Sequence, residues 1–264
     1  MVSQSRTGQI LSRILLALCV GGMPVVGLLA HSLPEAAWPL GVLLLLAAVS
    51  ALATLHRSLQ LQNVLVATAF ILFISGAVVY LNVRTSIPFG PLFFTDRCGE
   101  QILDGMPATL PLLWLVILLT ARGVARLILR PWRKLRTYGF RLIGLTCLLT
   151  AFFDLGLEPF AVHAQRFWLW QPTAIVSTWH GMPWINFFGW FVTALLILAF
   201  VTPWLINKQP AGKRPPDLQP LVLWLALNLF LAVNLATREI WSAAAVVGIL
   251  TAISGTLAWR NARW

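Results

Sequence analysis

The residues best able to do chemistry in this sequence are its carboxylates. Only eight residues are Asp or Glu, and five of them fall in two stretches. The first, residues 86–107, reads Ser-Ile-Pro-Phe-Gly-Pro-Leu-Phe-Phe-Thr-Asp-Arg-Cys-Gly-Glu-Gln-Ile-Leu-Asp-Gly-Met-Pro and holds Asp96, Glu100 and Asp104. The second, residues 154–190, opens with Asp154 and Glu158. Asp154 and Glu158 are four residues apart and share one face of a helix. Pro159 disfavours helical backbone at the residue before it, so a helix break is expected there. A carboxyl group held among Phe152, Phe153 and Phe160 is poorly hydrated. Desolvation disfavours the charged form of a carboxyl, and a neutral carboxylic acid is what a general acid requires. The plainer alternative is that the pair caps neighbouring helices or binds Arg166. Asp96, Glu100 and Asp104 also recur at intervals of four and would form an acidic stripe on a helix, or an ordinary solvated face. Asp96 stands out among them because it follows Thr95 and an aromatic run.

Aromatic and amide residues surround these carboxylates. Trp168 and Trp170 would point the same way on an extended segment, and Trp179, Trp184 and Trp190 follow. They make either an interfacial aromatic belt or a set of indole faces that stabilise positive charge. His163 and His180 read as hydrogen-bonded loop residues, and two isolated histidines do not make a metal site. Asn186, just inside an apolar block, needs a partner for its amide. Asn228 and Asn234 read as hydrogen bonds between helices.

The elements that must hold these groups are membrane-spanning helices. Hydrophobic residues make up 59% of the chain and charged residues 10%, with a mean hydropathy of +0.82. Soluble domains carry about 25% charged residues. A span needs roughly 20 apolar residues, and eight blocks qualify: residues 10–30, 38–55, 61–81, 106–121, 140–153, 184–206, 218–236 and 240–259. The fifth is short and is expected to continue past Asp154 or to tilt. The first has signal-peptide features, but seven further spans favour an uncleaved helix. The expectation is an all-α polytopic bundle, with residues 1–264 as a single integral membrane domain. No internal repeat or low-complexity segment is read. The segment 207–220, rich in Pro, Lys and Gly, reads as a flexible connection.

Charge orients the bundle. The N-terminus carries Arg6, the second loop Arg57, and the fourth loop Arg122, Arg126, Arg130, Arg133, Lys134 and Arg136. The sixth loop carries Lys208, Lys213 and Arg214 against Asp217, and the C-terminus Arg260 and Arg263. The remaining loops hold most of the acids, among them Glu35. Positive-inside orientation is expected to place both termini in the cytoplasm. The net charge of +11 therefore reflects topology, and no nucleic-acid partner is expected. Cys19, Cys98 and Cys147 show no paired spacing and imply neither disulfides nor a zinc site.

Over residues 84–190 the sequence resembles a family of membrane carotenoid-biosynthesis proteins that includes carotenoid hydratases and bisanhydrobacterioruberin hydratase. The resemblance rests on Pro88-Phe89-Gly90, Phe94-Thr95-Asp96, Gly99, Gly105-Met106-Pro107 and Trp114. It continues in Asp154, Glu158-Pro159, Trp168-Leu169-Trp170, Gly181-Met182-Pro183, Asn186-Phe187 and Gly189-Trp190. Glu158 replaces the family's usual Asp, and Met replaces Val in both Gly-x-Pro steps. A Glu and a Gly that often precede the Pro-Phe-Gly step have no counterpart in residues 79–87. The resemblance implies acid-catalysed hydration of a terminal isopropylidene double bond in an acyclic carotenoid. It needs no redox cofactor or metal. Asp154 would be the acid, and Glu158 or Asp96 would handle the water. Thr95, Trp114, Trp168, Trp170 and Trp190 would line the substrate site, while Asn186 or His180 would orient the water. The implied partners are membrane lipid, the hydrophobic carotenoid and other membrane enzymes of the pathway, in a bacterial or archaeal cytoplasmic membrane. Two rival readings remain. One is a magnesium-dependent membrane prenyltransferase. The other is a carotenoid-binding or transport protein, which the lack of a legible repeat disfavours.

Overall fold

The computed structural model describes residues 6–33, 36, 38–103, 105–172, 177–206 and 215–263. Glu35, Asp104, Lys208, Lys213 and Arg214 lie outside them, as does most of the expected flexible connection. Eight helices long and apolar enough to cross a membrane are present among the described residues. They are α1 (Arg6–Ser32), α2 (Trp38–His56), α3 (Leu61–Thr85), α4 (Thr109–Ile128), α5 (Tyr138–Pro159), α6 (Trp184–Val201), α7 (Gln219–Ala236) and α8 (Trp241–Asn261). Hydrocarbon cannot hydrogen-bond the backbone, so a spanning segment satisfies its own N–H and C=O groups by coiling. Large apolar side chains such as Phe73 and Leu229 remain exposed on the outside of the bundle, where lipid solvates them. The protein is a polytopic helical membrane bundle, as its composition requires. The fifth helix does run past Asp154.

Helix α4 is the centre. It packs against α2, α3, α5, α7 and α8. Its C-terminal turns carry Arg122 and Arg126, which are helical residues and not loop charges. Arg122 is buried, and its Nη2 donates to the Leu205 carbonyl at 3.1 Å. The second and sixth loops meet where Arg57 pairs with Asp217 at 3.3 Å, so these two alternate loops share one face. Asn228 and Asn234 do not bridge helices through their amide N–H groups. Each donates to the carbonyl one turn back in its own helix, Trp224 and Phe230, both at 2.8 Å. That local acceptor satisfies the amide without a partner helix.

Among the described residues, six short strands sit at one end of the bundle: β1 (Leu92–Phe94), β2 (Gln101–Ile102), β3 (Met106–Pro107), β4 (Trp168–Trp170), β5 (Thr178–Trp179) and β6 (Met182–Pro183). Strands β2 and β3 form one hairpin, β5 and β6 another, and β1 pairs antiparallel with β4. This arrangement reveals a repeat that the sequence hides. The order helix, strand, hairpin, helix occurs as α3-β1-β2β3-α4 and again as α5-β4-β5β6-α6. The step along the chain from Leu92 to Trp168 equals the step from Met106 to Met182, so a single offset carries β1 onto β4 and β3 onto β6. The ladder pairs Leu92 with Trp170, Phe93 with Leu169 and Phe94 with Trp168, so it is symmetric about its Phe93–Leu169 centre. Trp114 and Trp190, related by the same offset, stack with centroids at 4.2 Å and planes at 20°. Helix α3 packs on α4 and α6, and its counterpart α5 packs on α6 and α4. The expectation of no repeat is therefore corrected. Apart from Gly-Met-Pro, one Trp and a few other apolar residues the two halves share almost no side chains, because central α4 packs on five helices while its counterpart α6 leaves Phe188 and Phe200 exposed, and each position takes the apolar residue that its own surroundings accept.

Pro159 does not break α5. Backbone beyond it continues as a π-helical turn, Phe160–Gln165, ending at Arg166 in left-handed conformation (φ 55°). The wider turn accommodates the proline ring and its missing N–H. The carbonyl left free one turn earlier, Leu155, is taken by the Trp179 indole at 2.9 Å.

Candidate functional site

Asp154 and Glu158 lie on the face of α5 that meets α6, at 0% and 2% exposure. Asn186, near the start of α6, is equally buried. Its Nδ2 donates to Asp154 Oδ2 at 2.7 Å and to Glu158 Oε1 at 3.0 Å. One amide thus spends both of its N–H donors on two carboxyls. Strand β4 covers the site. Trp168 and Trp170 alternate past Leu169 onto one side of the strand. Both indoles donate to Glu158 Oε2, at 3.0 and 3.1 Å.

The donors are unequally shared. Glu158 accepts three N–H groups, the set that suits an ionised carboxylate. Asp154 accepts one, and its Oδ1 is buried with no hydrogen-bond partner. A buried polar atom without a partner calls for a reason. Such an oxygen is open to a proton, a water molecule or a bound substrate. Arg166 is exposed beyond the π-helical turn, and among the described residues it makes no ion pair with either carboxyl.

The remaining expected residues fall into three groups. Trp114 and Trp190 form the stacked pair, with the Phe89 ring 6.3 and 6.2 Å from them. Thr95 joins the two segments: its hydroxyl donates to the carbonyls of Arg166 (2.5 Å) and Phe167 (3.2 Å). Asp96 and His180 stand apart from the carboxyl pair. Asp96 is exposed in a 3-10 turn, accepting from Gln101 Nε2 at a long 3.5 Å. Because that turn gives way to a hairpin, Asp96 and Glu100 share no helical stripe, and Asp104 is outside the described residues. The His180 ring is 3.0 Å from Ser242 Oγ, and His163 Nε2 donates to the His180 carbonyl at 2.8 Å. Burial, and then the neighbouring His163, hold His180 below the ordinary histidine value.

An apolar cavity of about 130 Å³ reaches Trp168, and neither carboxyl lines it. Its walls include Leu44, Cys98, Leu113, Leu157, Phe160 and Phe230. Trp168 also lines it, so one indole separates the cavity from Glu158. Apolar cavities of about this size stay dry and admit a benzene-sized hydrocarbon.

Two residues were missed from sequence. Asn82, buried near the end of α3, organises the Pro88-Phe89-Gly90 turn. Trp179 appeared only as one of several belt aromatics. The available signal for Trp179 was Pro159, whose missing N–H frees a carbonyl. For Asn82 it was an amide in an otherwise apolar span.

A family model described as "Carotenoid biosynthesis protein" matches residues 39–254. A curated relative, bisanhydrobacterioruberin hydratase of Haloarcula japonica, is 28% identical over 163 residues. The match covers 59% of this chain and 53% of that protein, so the chain spans about half the length of that relative. No solved structure matches.

Proposed function

The chain belongs to the carotenoid biosynthesis protein family, and from that premise we propose that it hydrates the terminal isopropylidene double bond of an acyclic carotenoid. An integral membrane enzyme of this pathway meets an apolar polyene in the bilayer itself. The observation that carries the reading is the Asp154–Asn186–Glu158 bridge, with one carboxyl saturated by donors and the other holding an unpartnered oxygen.

The chemistry follows from those states. The isoprenoid end enters from the apolar cavity and passes Trp168 to the carboxyl pair, where a single water is admitted beside it. Protonated Asp154 gives its proton to the CH carbon of the double bond, and the dimethyl carbon becomes a tertiary cation. Ionised Glu158 stabilises that cation electrostatically. Water adds to the cation through oxygen, and Glu158 accepts the proton released. Return of that proton to Asp154 restores the starting state. The sum is alkene plus water to tertiary alcohol, with no change in oxidation balance. Asn186 holds the two carboxyls in register. The Trp114–Trp190 pair stiffens the helix contact behind them.

Pigment mass spectrometry after expression in a host that accumulates lycopene-type carotenoids tests the proposal. A product heavier by one water, absent with Asp154→Asn, is expected. Unchanged pigment beside a correctly inserted protein would overturn hydration of that substrate class. The internal repeat removes one objection to a transport role, since some transporters are built from parallel repeats. The acid pair nevertheless occurs in one half alone: the positions that the repeat offset makes equivalent to Asp154, Glu158 and Asn186 hold Val78, Asn82 and Leu110.

A further inference from the structure

We infer that Asn82 is a positioning residue for the carboxyl pair, acting through the Pro88-Phe89-Gly90 turn and Trp170. The inference rests on the proposed acid site and extends it into the other half of the repeat.

Asn82 is 2% exposed, and both ends of its amide bind one turn of backbone. Its Oδ1 accepts from the N–H groups of Phe89 (2.9 Å) and Gly90 (3.3 Å). Its Nδ2 donates to the Gly90 carbonyl at 3.1 Å. Those bonds hold Gly90 at φ 117°, a conformation open to glycine. The Gly90 backbone then lies directly against the Trp170 ring: a Cβ at this position would sit 3.0 Å from Trp170 Cζ3. A further bond, Gln171 N–H to the Pro91 carbonyl at 2.9 Å, ties the same turn to the end of β4. Trp170 in turn donates to Glu158 Oε2. A continuous run of contacts therefore leads from Asn82 to the carboxylate, and only its last step touches the acid pair.

The repeat gives this run a second support. The offset that carries Trp114 onto Trp190 also carries Asn82 onto Glu158, on equivalent helices. One half uses that inward position for an acid. The other uses it for a neutral amide that fixes the turn on which the acid's indole donor rests. Trp168 offers an internal control, because it reaches the same Glu158 oxygen without resting on Gly90.

Indole N–H resonances of the 15N-tryptophan-labelled full chain in nanodiscs test this. Glu158→Gln serves to assign the Trp168 and Trp170 signals that sense the carboxylate. In Asn82→Ala the Trp170 resonance is expected to shift and exchange faster with solvent, while Trp168 holds its place. Gly90→Ala, which crowds Trp170 and leaves Asn82 intact, should shift the same resonance. Asn82→Asp keeps the acceptor for both backbone N–H groups and should keep the Trp170 signal closer to wild type than alanine does. Hydration by Asn82→Ala should fall about 10- to 100-fold, the worth of one hydrogen bond to a charged group. Combining it with Trp170→Phe should cost little more than either change alone, since both break the same run. Equal shifts at Trp168 and Trp170, or additive losses in the double variant, would overturn the inference in favour of general destabilisation. The resonances are read without substrate. They decide the positioning role even if the pigment assay were to reject hydration.

Discussion

Asp154 and Glu158 are one helical turn apart, yet only one of them has donors enough to stabilise a negative charge. Asp154→Asn removes the transferable proton and preserves shape and the Asn186 contact. Hydration should fall by about 10²- to 10⁴-fold, the usual worth of a general acid, with the protein still inserted; product yield per membrane-embedded protein measures it. Glu158→Gln turns one acceptor oxygen into an NH₂ group facing N–H donors. It should lower both activity and stability, the latter by about 1–3 kcal/mol, read as a lower melting temperature in detergent. Cys98 gives an independent probe of the cavity that it lines. Burial pushes its thiol up to about 12, against a smaller opposing effect from its contact with Thr109. A raised value means that thiolate, the reactive form, keeps increasing with pH. In a chain with Cys19 and Cys147 replaced, alkylation of Cys98 should rise through pH 9 and 10 without levelling off. A bound polyene should slow it. A plateau near pH 9 would show a thiol in open water.

At the level of elements, the site depends on two places where regular structure gives way. The π-helical turn after Pro159 allows α5 to continue far enough for β4 to fold back over Glu158. Trp179 stabilises that departure by taking the Leu155 carbonyl. Trp179→Phe keeps the aromatic bulk and leaves the carbonyl unpaired, so a loss of about 1–3 kcal/mol is expected in thermal unfolding. The other place is where α6 meets the Pro-Phe-Gly turn. A Cβ on Gly189 would lie 2.8 Å from the Pro88 carbonyl oxygen, a backbone atom that cannot swing aside. Gly189→Ala should destabilise by about 1–3 kcal/mol, as overpacking does, and should shift the Trp170 indole signal. An unchanged melting temperature would mean that α6 can slide away from the turn.

For the whole molecule, an approximate two-fold relates residues of α3 to β3 and α4 to those of α5 to β6 and α6, and only one half carries the acid. The first and last helix pairs lie outside the repeat. Helices α3 and α5, separated by one intervening span, run in the same direction, as parallel repeats require. We propose, from the basic residues of alternate loops, that both termini are cytoplasmic. Reporter fusions at the two ends should then give the cytoplasmic signal, whereas fusions near residues 86 and 172 should give the opposite one. Discordant termini would demand an odd number of spans.

The membrane bundle was legible in the sequence because the constraint is local: a run of about 20 apolar residues must coil wherever it stands in the chain. That Asp154, Glu158 and Asn186 need partners was also legible, since polar groups in apolar surroundings are costly. Their pairing was not. Asn186 lies 32 residues from Asp154, and which oxygen receives which donor depends on how α6 and β4 dock. The repeat escaped for a related reason: the equivalent helices α4 and α6 stand in different surroundings and take different apolar residues, so symmetry survives in strand register and in one tryptophan stack. Asn82 is the clearest case. Its type and position were visible, but only the tertiary structure brings the turn it holds beneath Trp170, because that contact joins segments far apart in the chain by packing alone.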